Sequence, residues 1–262
     1  GELHKVTGES GTDANSGQYV VRFSSAENSE GLRKDRFIAP RAAAVGVPVP
    51  RLVHHGEVKL AVGNLSDEER ERDGGSAHLL GYSIVDRAPG EHMGELQDAA
   101  RRYLIPAAVR MMDMISLIDI SDTTGYGWFD GEGNGKYETW VDFLEAHAFP
   151  AGGSRFYKRR RSLFDDGFLE VDVFRCLSDR MMDLVSTVPV VERSVAHMDF
   201  GYDNTLVMGD QVSAVLDWDN SIIGDHLSDG ARSDLYDPDL DFKRLFADRY
   251  DLTGRDVPAF DE

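Results

Sequence analysis

Apolar residues recur along this chain in two rhythms, one of strands and one of helices. Thr205-Leu206-Val207-Met208 and a second apolar run at 212–216 flank Gly209-Asp210. Two such runs around a glycine dipeptide predict a β-hairpin. Its turn lies midway between Asn204 and Asp217, so folding sets those two residues side by side at the open end. Near the start, His4-Lys5-Val6-Thr7 and Gln18-Tyr19-Val20-Val21-Arg22-Phe23 predict two strands, with the glycine-rich run 8–17 turning one into the other. Val47-Pro48-Val49-Pro50 predicts an extended entry into a further strand, because a residue before proline avoids helical angles. The run 79–85 predicts a buried strand that ends in Asp86-Arg87-Ala88-Pro89-Gly90.

Helical spacing takes over between 96 and 120. Tyr103, Ala107, Met111, Met114 and Ile118 predict one helix with a methionine-rich face in the core. Tyr137, Trp140 and Phe143 open another helix as core aromatics, and 177–188 predicts an amphipathic one. The charge run 66–75 reads as a solvated hairpin tip. The basic run 155–161 reads as a face paired with nearby acids.

Composition narrows the classes. The chain has 262 residues, 41% of them hydrophobic, enough for one two-lobed unit or two small domains. Its single cysteine excludes an internal disulfide, and Cys176, within Val173-Phe174-Arg175-Cys176-Leu177, is expected as a buried, inert thiol. A formal net charge of −19 disfavours nucleic acid and favours cationic partners, though it equally serves solubility. No secretory signal or membrane-length apolar run is present; Arg110, Asp113 and Asp119 interrupt the nearest candidate. A cytoplasmic protein without membrane or nucleic-acid partners is the expectation.

The chemistry concentrates at His197-Met198-Asp199-Phe200-Gly201-Tyr202-Asp203-Asn204, followed by Asp217. Phosphoryl transfer needs a carboxylate to orient a hydroxyl, and oxygen ligands to hold magnesium against nucleotide phosphates. Asp199 on the loop, with Asn204 and Asp217 across the hairpin, supplies groups of those types. The segment resembles the aminoglycoside phosphotransferase branch of the protein-kinase-like fold, most closely the hygromycin B phosphotransferases. Gly224-Asp225-His226-Leu227-Ser228-Asp229 is similar to that family's next motif. Thr124-Gly125-Tyr126-Gly127 and Gly135-Lys136-Tyr137-Glu138-Thr139-Trp140-Val141-Asp142-Phe143 point to the hygromycin-type branch.

The resemblance implies an α+β, two-lobed fold: a small N-terminal lobe with an antiparallel sheet and a larger, mostly helical C-terminal lobe. Residues 1–87 would form the nucleotide-binding lobe, with the first strand missing and the phosphate loop at Gly1-Glu2. Residues 88–262 would form the catalytic and acceptor-binding lobe, lacking the helical tail usual in relatives. Asp199 is implied as catalytic base, Asn204 and Asp217 as Mg2+ ligands, and His197 as a support of the loop. Arg22 stands where kinases place a phosphate-pairing lysine, with Asp35 as its partner. Main-chain groups of Asp86 and Ala88 would bond the base of ATP or GTP. Asp203, Asp219 and Asp225 are candidates for contacts to amines of a cationic small-molecule acceptor, with a purely structural role, orienting the catalytic loop, as the favoured alternative for Asp225. The expected function is phosphorylation of an aminoglycoside or aminocyclitol hydroxyl. The alternatives are a kinase of another small metabolite, such as an amino alcohol, sugar or macrolide, and a relative that binds without turnover.

Overall fold

A central strand of small and apolar residues organises the N-terminal sheet. β4 (His78–Asp86) pairs antiparallel on one side with β2 (Tyr19–Ser25) and on the other with β3 (Leu52–Leu60), and β1 (Leu3–Val6) adds to the free edge of β2. The register sets Arg22 opposite Ser83 and Tyr19 opposite Asp86. This computed structural model describes residues 3–6, 18–25, 29–60, 78–148, 163–168, 170–187, 191–236, 244–245 and 248. Gly1-Glu2 and the runs 8–17, 66–75 and 155–161 lie outside the described residues.

Helix α1 (Glu30–Ala44) buries Lys34, Ile38 and Ala42, a stripe spaced by one helical turn. Ile38 and Ala42 join a cluster that also holds Ile105, Val109, Met112 and Ile115, then Phe129, Val195, Val207, Val215, Trp218 and Ile223. One continuous core therefore runs from α1 to the hairpin. Helix α2 (Asp98–Ser116) fills its centre with Leu104, Ile105, Ala108, Val109, Met112 and Ile115. The expected face was offset by about one residue. Ile118 is buried, but Tyr103 is 72% exposed, because α2 is apolar on two adjoining stripes and the core takes the one richer in branched aliphatics.

Three further points differ from expectation. Tyr137 ends a strand, β7 (Gly135–Tyr137), and helix α3 (Trp140–Ala148) begins only at Trp140. Helix α4 (Val171–Thr187) starts earlier than its periodicity indicated and buries only Ser178. Cys176 is exposed rather than buried, on a segment where Val173 and Leu177 also face outward. No helix among the described residues is long and apolar enough to cross a membrane.

The remaining strands form two small sheets. β5 (Glu91–His92), β9 (Thr205–Met208) and β10 (Gln211–Val215) make the order β10-β9-β5. β6 (Tyr126–Phe129), β8 (Ser194–Ala196) and β11 (Ile222–Gly224) join β7 in the order β7-β6-β11-β8. The segment 123–127 is pinned from outside. Arg193 donates to the carbonyls of Gly125 (3.0 Å) and Thr123 (2.8 Å), and Tyr126 Oη donates to the Val191 carbonyl at 3.0 Å.

Gly125 has φ +73°, and a Cβ there would lie 2.2 Å from the Gly135 carbonyl oxygen. Positive φ and a backbone clash each cost about 1–3 kcal/mol. Gly125→Ala should therefore lower the melting temperature by about 4 °C or more, read by differential scanning calorimetry. An unchanged midpoint would show that the β6–β7 turn relaxes freely.

Candidate active site

The site is built on the β9–β10 hairpin. Its two-residue turn places Gly209 at φ +66°, a conformation glycine adopts without steric cost. At the open end Leu216 N donates to the Asn204 carbonyl at 2.8 Å. Asp217 follows at once in the left-handed region, φ 59°, a strained backbone for a residue with a Cβ. The strain turns its carboxylate back towards β2. Asn204 donates from Nδ2 to the carbonyl of Asp199 (2.9 Å) and to its Oδ2 (3.1 Å). This commits the amide nitrogen and leaves the amide oxygen as the atom available for coordination.

The loop bearing Asp199 is held from beneath. Asp229, fully buried at the start of α5 (Leu227–Tyr236), accepts from the backbone N–H of His197 and of Met198, each at 2.7 Å. Met198 needs that support, since its φ is 60°. His197 is buried and donates from Nε2 to the Leu216 carbonyl (3.0 Å), while its Nδ1 accepts from Asp199 N (3.3 Å). Burial lowers the His197 pKa to about 4, so a neutral ring ties the loop to the hairpin. Asp199 itself is about one-third exposed, with Asn220 Nδ2 at 3.3 Å and Arg232 Nη2 at 3.8 Å from its carboxylate.

A cleft of about 560 Å³ opens between β2, β4, the segment 86–92 and the hairpin. That volume suits a small-molecule site. Val20, Val85, Leu206 and Val215 make its apolar walls. Arg22, Asp35, Asp86, Ala88, Asp203, Asn204, Asp217 and Asp219, eight of the residues singled out from the sequence, line it. Arg22 forks between partners, one Nη on Asp35 and Nη2 on Asp217 Oδ1 at 3.2 Å. Burial pushes Asp35 up to about 6, against the opposing pull of Arg22. The Asp86 carboxylate turns to Arg51, which grips it at 2.8 and 3.2 Å. Asp219 packs against α1, where a Cβ on Gly31 would meet its Oδ1 at 1.5 Å. Asp225 lies away from the cleft lining and accepts from Leu227 N at 3.0 Å at the head of α5; the residue under the loop that carries Asp199 is Asp229.

Among the described residues, no group of three or more His, Cys, Asp or Glu is arranged to hold a metal ion. Asn204 and Asp217 nevertheless suit magnesium, which commonly takes one or two protein oxygens and completes its shell with water and phosphate.

Several participants were not singled out in the sequence. Lys34 donates from Nζ to the carbonyls of Asp219 (2.8 Å) and Ser221 (2.9 Å) and lies 4.5 Å from the Phe129 ring centre. Burial lowers its pKa to about 8. The available signal was its place one turn before Ile38 and Ala42 on a buried stripe. Asn220 and Arg232 reach Asp199 only through the tertiary fold, and no local pattern marks them.

Asp229 yields a pH prediction. Burial raises its folded pKa to about 6 from the usual aspartate value of 3.8, opposed by the two amide bonds. The folded state therefore binds the extra proton between those values, so this residue's contribution to stability is present below pH 3.8 and lost as pH rises through 6. Thermal melts from pH 4 to 7 should show a flatter curve for Asp229→Asn than for the parent chain. Parallel curves would remove the buried charge from the account.

A model of the phosphotransferase enzyme family matches residues 10–250. The hygromycin-B 4-O-kinase of Escherichia coli is 29% identical over 207 residues, covering 79% of this chain and 52% of that protein. The chain thus spans about half the length of this curated relative. Among solved structures, a thermostable mutant of aminoglycoside phosphotransferase APH(4)-Ia in ternary complex with AMP-PNP and hygromycin B superposes with a TM-score of 0.72 at 26% identity, over 99% of this chain and 82% of that one. A complex of the same enzyme with ADP and hygromycin B gives 0.70 at 26%, over 95% and 78%. The ADP-bound APH(2'')-Ib, at 14% identity, a TM-score of 0.56 and coverage of 99% and 80%, shares the fold. With its two-lobed, kinase-like α+β fold, the chain belongs to the phosphotransferase enzyme family.

Proposed function

We propose that the chain transfers the γ-phosphoryl group of ATP or GTP to a hydroxyl of a cationic aminoglycoside or aminocyclitol, with hygromycin B as the foremost candidate. The supporting observation is the fixed carboxylate of Asp199, held by the Asn204 and Asn220 amides beside a cleft lined by the Arg22–Asp217 pair. Acidic residues dominate the cleft's ionisable lining, among them Glu91, Glu95, Asp203 and Asp219, which suits a polyamine acceptor. In this reading residues 1–87 bind nucleotide and 88–262 carry the catalytic loop and the acceptor.

Asp199 accepts a hydrogen bond from the acceptor hydroxyl and aims its oxygen in line with the γ-phosphorus. As the new P–O bond forms, the bond to the β-phosphate oxygen breaks and that electron pair leaves with the nucleoside diphosphate. The hydroxyl proton passes to Asp199. Arg22, steadied by Asp35, neutralises charge along the phosphate chain. Asn204 and Asp217 would hold magnesium, which supplies charge neutralisation across the β- and γ-phosphates when bound. Positioning and electrostatics carry most of the rate, so no protein side chain needs to be phosphorylated.

A coupled ADP-release assay against hygromycin B, other aminoglycosides and amino alcohols tests the substrate class. Turnover should depend on an aminoglycoside and cease with EDTA. Release with none of these acceptors, despite Mg2+-dependent nucleotide binding, would leave only a binding role. Asp199→Asn should cut kcat by about 10²–10⁴-fold and leave ADP affinity, read by calorimetry, within about twofold. Retained turnover would take Asp199 out of the mechanism.

A further inference from the structure

His92 has no role in the chemistry above, yet its geometry is specific. It sits on β5, paired directly with Leu206 of β9, and both residues line the cleft. Directly opposed residues of antiparallel strands present their side chains to one face. Leu206 is an apolar wall of the cleft, and Asn204 stands two residues before it. His92 thus lies between the end of the cleft at Asp86 and Ala88 and the end where Arg22, Asn204 and Asp217 converge.

The imidazole's protonation pattern is dictated by its neighbour. Nδ1 lies 2.7 Å from the carbonyl oxygen of Asp203. A carbonyl only accepts, so Nδ1 carries the hydrogen, and in the neutral ring Nε2 then holds a lone pair. Among the described residues Nε2 has no partner. The carbonyl that fixes the ring belongs to the loop between Asp199 and Asn204. The same loop is tied to the turn after β5 by Gly94 N donating to the Tyr202 carbonyl at 3.3 Å.

We infer that His92 reads the sugar of the nucleotide, its Nε2 accepting a hydrogen bond from a ribose hydroxyl. This rests on the phosphotransferase reading. A nucleotide with its base at the 86–88 end of the cleft and its phosphates at Arg22 and Asn204 brings its sugar to the level of His92 and Leu206 between them. A ribose hydroxyl there is a neutral donor, which suits an imidazole lone pair. The carboxylates nearby, Glu91, Glu95 and Asp203, suit cationic groups instead. His92 is a specificity residue for ribonucleotides over deoxyribonucleotides, and through the Asp203 carbonyl it joins sugar recognition to the catalytic loop.

Calorimetric binding with Mg2+ tests this on the full chain. ADP or GDP, whichever binds tighter, is compared with its 2′-deoxy and 3′-deoxy forms. The parent chain should bind at least one deoxy form about tenfold more weakly, roughly the worth of one hydrogen bond. His92→Phe, which keeps a ring and removes the acceptor, should bind all three within about twofold of one another. His92→Gln, with an amide oxygen, should recover part of the discrimination. A parent chain that does not discriminate, or a Phe variant that still does, overturns the inference while leaving the phosphotransferase reading standing. A Phe variant that keeps the discrimination but weakens hygromycin B binding also overturns it, moving His92 to the acceptor. If the parent chain binds no nucleotide, both readings fall.

Discussion

Repulsion between carboxylates is the constraint around which the site is built. Asp35, Asp217 and Asp219 line the cleft and Asp199 is tied beside it through Asn204, and like charges about 4 Å apart repel by about 4 kcal/mol near a protein surface. Left alone they would splay or take up protons. Each is met by a donor from another part of the chain. Arg22 on β2 bridges Asp35 and Asp217, and Asn204, Asn220 and Arg232 surround Asp199. Lys34 on α1 takes the main-chain carbonyl of Asp219. The compensation is incomplete at Asp35, where burial first and then Asp217 and Asp219 outweigh Arg22 and raise the carboxyl towards 6.

The residues legible in the sequence are those whose placement is local. Asn204 and Asp217 come to the same end of the cleft because one hairpin with one turn joins them, and apolar alternation with a glycine suffices to infer that. Asp199 lies five residues upstream, too near to go elsewhere. Where distance along the chain grows, legibility falls. Asp225 and Asp229 belong to one short motif, yet only the fold shows that Asp229 is buried under the loop while Asp225 faces the head of α5. Tyr103 looked like a core residue because α2 has two apolar stripes, and periodicity alone does not say which one other elements will cover. Cys176 lies within an apolar run on a helix whose described surroundings leave it exposed. His92 and Lys34 carry no local mark because the carbonyls they bond lie more than a hundred residues away.

Two links join α1 and β2 to the hairpin loop, and they differ in permanence. The Arg22–Asp217 pair has side chains 27% and 46% exposed. Water and salt screen such a pair, and its net worth is small. Lys34 is 3% exposed, and breaking its bonds would strand two carbonyls and a buried amine, a costly loss. The buried link therefore holds α1 against the 218–221 turn, while the exposed one exchanges readily. Arginine at position 22 fits that division. Its planar fork holds Asp35 with one nitrogen and keeps another for a second anion, whereas a lysine ammonium lacks that fixed geometry. Asp35, more buried than Asp217, is the partner that stays. Asp217, the more exposed of the two, is the partner that an incoming anion can displace from the guanidinium.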